Sequence, residues 1–261
     1  MGTQLLFSTA LVTGASSGIG RELARQLGGG GGHLALAARR RAELQATASE
    51  VASAGGPTPV VIPADLGRPE EATRTVAEAE AALGRIDLLL CNAGVGGNCP
   101  VAQMPWEDIE AMVRVNTLGP MALIRAALPA MLARGSGTIA AISSLASYRG
   151  FPGGAPYSAS KAALSTFLEA VRVETRGRGV TVVDIHPGYV HTPLTAKRER
   201  PRPFIMDVER AARLILRAVA RGKPVYNFPW QMALLIRAVR LLPPVLFDRV
   251  ASRGGRPGRP T

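Results

Sequence analysis

Short apolar runs recur along the chain at residues 10–12, 34–38, 59–62, 86–90, 138–142 and 180–185. Each is bounded by polar or glycine-containing segments, and continuous rather than alternating apolar character is what strands buried on both faces require. Between them, apolar positions recur at helical spacing over about 18–28, 42–54, 69–83, 106–133, 156–176 and 207–221. Strands that alternate with helices imply right-handed crossovers, so the pattern predicts an α/β fold, a single-domain, doubly wound parallel sheet flanked by helices. We place this domain at residues 1–228. Residues 229–261 form a C-terminal apolar helical extension with a basic tail and no independent core. No internal repeat is present. The GGGGG run from Gly28 to Gly32 reads as a flexible linker after the first helix.

In a sheet of this kind ligands collect beyond the carboxyl ends of the strands. Gly14, Arg39, Asp65, Asn92 and Ser144 all fall at such ends, and therefore converge on one cleft. After the first run comes TGASSGIG, from Thr13 to Gly20, opening a helical pattern at Ile19, Leu23, Ala24 and Leu27. Its glycines let the backbone turn sharply and approach a ligand, while the N–H groups and positive dipole at the helix start favour phosphate. The spacing differs from the G-x-G-x-x-G dinucleotide fingerprint.

Tyr157 and Lys161 stand four residues apart in PYSASKAA, and Ser144 lies thirteen residues before Tyr157. The i,i+4 spacing puts phenol and ammonium on one helical face, where the positive charge favours the phenolate. By itself Y-x-x-x-K also fits a solvated amphipathic pair.

Taken together, TGxxxGIG, Asp65, Asn92-Ala93-Gly94, Asn116, Ser144, Tyr157-x-x-x-Lys161, Pro187-Gly188 and Thr192 strongly resemble the short-chain dehydrogenase/reductase family over about residues 9–228. The resemblance implies an oxidoreductase that interconverts a carbonyl and an alcohol with a nicotinamide dinucleotide. Tyr157 would exchange the proton, Ser144 would hold the carbonyl oxygen, and Lys161 would lower the tyrosine pKa and bind the nicotinamide ribose. Asn116 would position a water linking Lys161 to solvent. Gly14, Ser16, Ser17, Gly18, Ile19 and Gly20 would cradle the pyrophosphate. Asp65, beside Leu66, would bind the adenine amino group, and Asn92, Ala93 and Gly94 would line the adenosine side and brace the sheet. Pro187, Gly188, Val190 and Thr192 would border the nicotinamide, Thr192 bonding its carboxamide. Ser143 and Ser147 compete with Ser144 for the serine role, but lack its spacing to Tyr157. Cys91 stands where the family usually has asparagine, and reads as a packing residue.

Charge decides the choice of dinucleotide. An acid at the end of the second strand would bind the ribose 2′-hydroxyl of NAD and repel the 2′-phosphate of NADP. The chain has Arg39 there, followed by Arg40 and Arg41, so NADP(H) is favoured over NAD(H).

At 261 residues the chain is long enough for a sizeable core. Its net charge of +12 comes almost wholly from arginine. The arginines are dispersed and no nucleic-acid motif accompanies them, so no nucleic acid is expected as a partner. Two cysteines give neither a disulfide framework nor zinc spacing, and no metal is expected. With no signal-peptide pattern and no long uninterrupted apolar stretch, a cytoplasmic location is expected. His33, His186 and His191 are dispersed and read as structural, although His186 and His191 flank Pro187-Gly188 and either could touch substrate. Asp184 reads as structural.

Substrate information should lie near residues 95–104 and 192–206, the latter including the charged, proline-containing run from Lys197 to Pro203, which could form a hinged lid. The segment from Trp230 to Val250 could cover an apolar substrate, join a homodimer or homotetramer interface, or touch a membrane surface. Two rivals to the carbonyl-reductase reading are a non-catalytic dinucleotide sensor or scaffold and an epimerase of the same superfamily. The joint presence of Asn116, Ser144, Tyr157 and Lys161 disfavours the first, and the chain length and glycine spacing disfavour the second.

Overall fold

The computed structural model describes residues 7–196 and 203–254. Seven strands form one all-parallel sheet: β1 (Thr9–Thr13), β2 (His33–Ala38), β3 (Val60–Pro63), β4 (Leu88–Cys91), β5 (Gly137–Ile142), β6 (Val180–Pro187) and β7 (Val225–Phe228). Their order is β3-β2-β1-β4-β5-β6-β7, so the direction of winding reverses between β1 and β4. The expected doubly wound sheet is therefore present, with a seventh strand that the apolar pattern did not reveal. β7 reads Val-Tyr-Asn-Phe, and Val225 is exposed at the sheet edge.

Successive strand residues point to opposite faces, and each face is closed by its own helices. On one side Val12, Leu34, Leu36, Leu88 and Leu90 meet α1 (Gly18–Gly29), α2 (Arg41–Ser53) and α8 (Val208–Ala220). On the other, Leu11, Ala35, Leu89, Cys91 and Ile139 meet α3 (Pro69–Leu83), α5 (Gly119–Ala133) and α6 (Ala155–Glu174). Cys91 is fully buried, and burial raises its thiol pKa to about 12, which keeps it protonated and suits a packing residue.

The helix expected over 106–133 is interrupted. It runs as α4 (Trp106–Val113), a π-helical turn (Arg114–Leu118) and then α5, with Asn116 in the wide turn. By length and composition the whole run Trp106–Ala133 could cross a membrane, but Leu123, Ile124, Ala127 and Met131 sit in the protein core.

Some of the surface arginines are paired with carboxylates. Arg25 meets Glu22, Arg74 meets Glu78, and Arg114 meets Glu110 along helix faces at 2.5–2.7 Å. Beyond a short helix α7 (Pro193–Ala196) the proposed lid at residues 197–202 lies outside the described residues, as does the tail from 255.

α9 (Trp230–Leu241) and α10 (Pro244–Gly254) account for the C-terminal extension. Ala233 and Ile236 of α9 pack with Leu145, Tyr148 and Phe151, while Trp230, Leu234 and Leu241 are exposed.

The glycine run is not a flexible linker. Gly28 and Gly29 close α1, and only Gly30 to Gly32 make the turn into β2. Gly28 is buried against α2, and a Cβ on it would lie 2.2 Å from Val51 Cγ1. A Cβ on Gly29 would meet nothing within 4 Å. Gly28→Ala should therefore cost about 1–3 kcal/mol through overpacking, whereas Gly29→Ala should gain about 0.5–1 kcal/mol from its lower backbone entropy. Thermal melts of the two variants check this, and equal effects of the same sign would restore the linker reading.

Candidate active site

A cleft opens at the carboxyl ends of the strands, beside the reversal between β1 and β4. At its floor the turn after β1 is held by Thr13. Its Oγ1 donates to the Leu90 carbonyl (3.1 Å) and accepts from the N–H groups of Asn92 (3.0 Å) and Ala93 (3.2 Å). Asn92 Nδ2 returns a bond to the Thr13 carbonyl at 3.0 Å. The two strand ends are thereby locked together, and Asn92 braces the central sheet.

Gly14 (φ 66°) and Gly18 (φ 55°) occupy left-handed backbone that side chains disfavour. Gly20 has an ordinary conformation but no room: a Cβ there would lie 2.3 Å from the Gly14 carbonyl oxygen. Among the described residues no side chain caps the start of α1, so its leading N–H groups face the cleft uncapped by the protein. Ser16, Ser17, Gly18 and Ile19 line this end of the cleft, whereas Gly20 lies behind it. The loop is thus a cradle whose missing Cβ atoms and helix dipole fit a pyrophosphate.

Arg39 and Arg40 lie at the end of β2 and line the cleft. Arg40 Nη2 donates to Ser16 Oγ and Ser17 Oγ, both at 3.1 Å, and Nη1 pairs with Glu43 at 3.3 Å. Asp65 and Leu66 line the neighbouring wall, with Asp65 Oδ1 accepting from the Gly67 N–H at 3.1 Å. Ala93, Gly94, Pro187, Gly188, Val190 and Thr192 complete the part of the lining that the sequence suggested. A Cβ on Gly18 would lie 3.2 Å from Thr192 Cγ2, so the two ends of the cleft meet there.

Tyr157 and Lys161 rise from the first turns of α6, and Ser144 caps a short 3-10 turn (Leu145–Ser147) after β5. All three line the same cleft. Ser143 Oγ is spent on the Lys161 carbonyl (3.1 Å) and Ser165 (2.8 Å), and Ser147 Oγ on the Ser144 carbonyl (2.7 Å). Ser144 Oγ accepts from the Ala146 N–H at 3.1 Å. Lys161 is buried, and its Nζ donates to the Ile142 carbonyl at 2.7 Å.

Asn116 is drawn behind the cleft. Its Oδ1 accepts from the Val95 N–H (2.9 Å), and its Nδ2 donates to the Val95 carbonyl (2.9 Å) and Ser160 Oγ (3.0 Å). This side chain braces the Val95 segment and α6 from behind. A Cβ on Gly94 would lie 3.2 Å from Asn116 Oδ1 and 3.5 Å from Lys161 Nζ, a gap that suits glycine.

The sequence reached Val95, Leu194 and Thr195 only as members of the stretches expected to carry substrate information, and missed Val115 and Ile142 in the lining. Apolar residues of this kind carry no motif, although Thr195 sits one helical step after Thr192. It donates to the Val190 carbonyl at 2.7 Å, fixing the strap that carries Thr192. His191 is exposed outside this cleft, and His186 is buried beneath the serine turn with no path to substrate.

Burial lowers the Lys161 pKa from 10.5 to about 8, against the opposing attraction of Asp184. That difference corresponds to about 3 kcal/mol disfavouring the buried ammonium. Below pH 8 lysine is protonated in both folded and unfolded chains, and the penalty is present in full. From about pH 8 to 10.5 the unfolded chain binds more protons, so stability rises with pH. Wild type should accordingly gain thermal stability relative to Lys161→Met across this window, and Lys161→Met should be at least as stable at pH 7. Melts at pH 7 and 10 measure both, and a pH-independent difference would contradict the buried-ammonium picture.

Comparison with known proteins places this geometry. The short chain dehydrogenase family model matches residues 8–203. An uncharacterized oxidoreductase of Myxococcus xanthus is 42% identical over 250 residues, covering 96% of this chain and 98% of the relative. Dehydrogenase/reductase SDR family member 7B of Bos taurus is 30% identical over 268 residues, covering 97% and 82%. A crystal structure of a short-chain type dehydrogenase/reductase from Mycobacterium marinum superposes with a TM-score of 0.77 at 28% identity, covering 87% of this chain and 94% of that one. The glycine cradle, the cleft at the strand ends and the helix bearing Tyr157 and Lys161 thus belong to a chain that is a member of the short-chain dehydrogenase/reductase family, an NAD(P)-dependent oxidoreductase.

Proposed function

We propose that the protein interconverts a carbonyl and an alcohol on an apolar substrate, with NADP(H) as the preferred dinucleotide. The observation that carries this reading is the convergence of Ser144, Tyr157 and Lys161 on the cleft that the glycine cradle opens. A carbonyl receiving hydride develops negative charge on oxygen, so a hydrogen-bond donor and a proton source must already point at it. Ser144 Oγ supplies the first and the Tyr157 hydroxyl the second. The dinucleotide supplies the hydride when bound.

Lys161 holds positive charge one helical turn from Tyr157, where it favours the phenolate and can bind the nicotinamide ribose. Asn116 keeps the Val95 segment and α6 in register, so its contribution to the relay is to hold the frame. The apolar wall of Val95, Pro193 and Leu194 beside these groups supports an apolar substrate. A Cβ on Gly96 would lie at van der Waals distance from both Tyr157 and Leu194, so the Gly96 backbone runs alongside both. NADPH absorbance followed against ketones and aldehydes of graded chain length tests the reaction class. Rates that ignore apolar length would remove the substrate assignment.

Tyr157→Phe should abolish nearly all turnover and leave NADPH affinity close to wild type. Retention of more than about a tenth of the activity, a loss under ~1.4 kcal/mol of barrier, would refute the proton-donor role.

The preference for NADP(H) is supported by two guanidinium groups at the end of β2, one of them bridged to the serines of the glycine cradle. Arg39→Asp should shift the ratio of affinities toward NAD(H) by about ten- to a hundredfold, the value of one charge-assisted contact. Titration of both dinucleotides into both proteins decides it, and a wild type that binds NAD(H) more tightly would overturn the preference.

A further inference from the structure

His186 and Asp184 alternate on one face of β6 and are buried together, 1% and 4% exposed. Asp184 Oδ2 lies 2.8 Å from His186 Nε2. Asp184 Oδ1 is buried and has no partner among the described residues, so this carboxyl spends its hydrogen bonding on the imidazole. The other ring nitrogen faces the serine turn.

His186 Nδ1 is 3.0 Å from the Ser144 carbonyl oxygen and 3.0 Å from Ser147 Oγ. The carbonyl has no hydrogen to give. The Ser147 hydroxyl lies 2.7 Å from that same oxygen and spends its only hydrogen there. The contact between Nδ1 and the carbonyl is therefore made by a proton on Nδ1. Asp184 Oδ2 grips the other ring nitrogen and holds the imidazole so that Nδ1 points at that oxygen. The ring is also held in plane, stacked on Tyr148 at 4.8 Å, while the Tyr148 hydroxyl donates to Asn227 Oδ1 of β7 at 2.8 Å.

We propose that His186, braced by Asp184, is a positioning residue for the reaction: its Nδ1–H holds the backbone carbonyl of Ser144 and so fixes the direction of the Ser144 hydroxyl in the cleft. Three donors then converge on that one oxygen, from His186, the Ser147 hydroxyl and the Ser147 N–H at 3.0 Å. Ser144 is extended (φ −166°, ψ 154°) at the head of the 3-10 turn, and clamping its carbonyl leaves its side chain little freedom. The inference rests on the role proposed above for Ser144.

The test compares His186→Phe with His186→Asn, each in wild type and in Ser144→Ala. Phenylalanine fills the site without a donor, whereas the asparagine amide can donate from near the place of Nδ1. His186→Phe should lower kcat about tenfold, the value of one buried hydrogen bond, with NADPH affinity unchanged. His186→Asn should recover most of that loss. In Ser144→Ala, His186→Phe should cause no further loss, because the hydroxyl it positions is gone.

Additive losses in the Ser144→Ala background, or a loss of NADPH affinity in place of kcat, would overturn the positioning role while leaving the serine assignment intact. Undiminished turnover in Ser144→Ala itself would overturn both. Should His186→Phe fail to fold, Asp184→Asn and Asp184→Leu take its place: the amide still faces Nε2 with a donor and should stay the more active, and equal activities would sink the proposal.

Discussion

The bond from Lys161 Nζ to the Ile142 carbonyl holds the segments that carry Ser144, Tyr157 and Lys161 in one frame. Ile142 ends β5 and is followed by the turn that presents Ser144, while Lys161 lies one helical turn beyond Tyr157 on α6. The ammonium, together with the Ser143 hydroxyl on the Lys161 carbonyl, therefore ties the serine-bearing strand to the tyrosine-bearing helix. The cost is a lysine buried in the protein with its pKa pulled down to about 8. A neutral side chain of similar length could fill the space without that penalty, but it would put no positive charge one helical turn from Tyr157. Stability is given up at this position for electrostatics, a trade common where a group must be charged in a dry setting.

Much of the fold was legible because its signals are local. Continuous apolar runs marked six strands, and the turn from Thr13 to Gly20 announced itself through glycines whose positive φ or close neighbours leave no alternative. β7 escaped because its four residues are mixed in polarity and gain strand conformation from pairing with β6. The glycine run misled for the opposite reason. Its composition suggests freedom, yet Gly28 is dictated by the proximity of Val51, a neighbour on another helix that no local pattern encodes.

The candidate site divides along the same line. Tyr157, Lys161 and Ser144 were found through spacing, and the strand-end positions of Arg39, Asp65 and Asn92 through topology. Asn116 could be named but not oriented: its position in a π-helical turn sends its amide to Val95 and Ser160 rather than into the cleft. His186 shows the limit most clearly. Its two-residue spacing from Asp184 places both on one strand face, but its contact with the Ser144 carbonyl joins residues 42 apart in the chain.

α9 has a different kind of consequence. Its inner residues Ala233 and Ile236 pack with Leu145 of the serine turn, yet it follows β7 and lies past residue 203, where the family match ends. The family match thus spans the glycine cradle and the helix of Tyr157, while α9 buttresses the serine turn from beyond it. Among the described residues α9 lends no side chain to the cleft lining, so changes in α9 would reach Ser144 through its neighbour Leu145, as a shift in the footing of the turn.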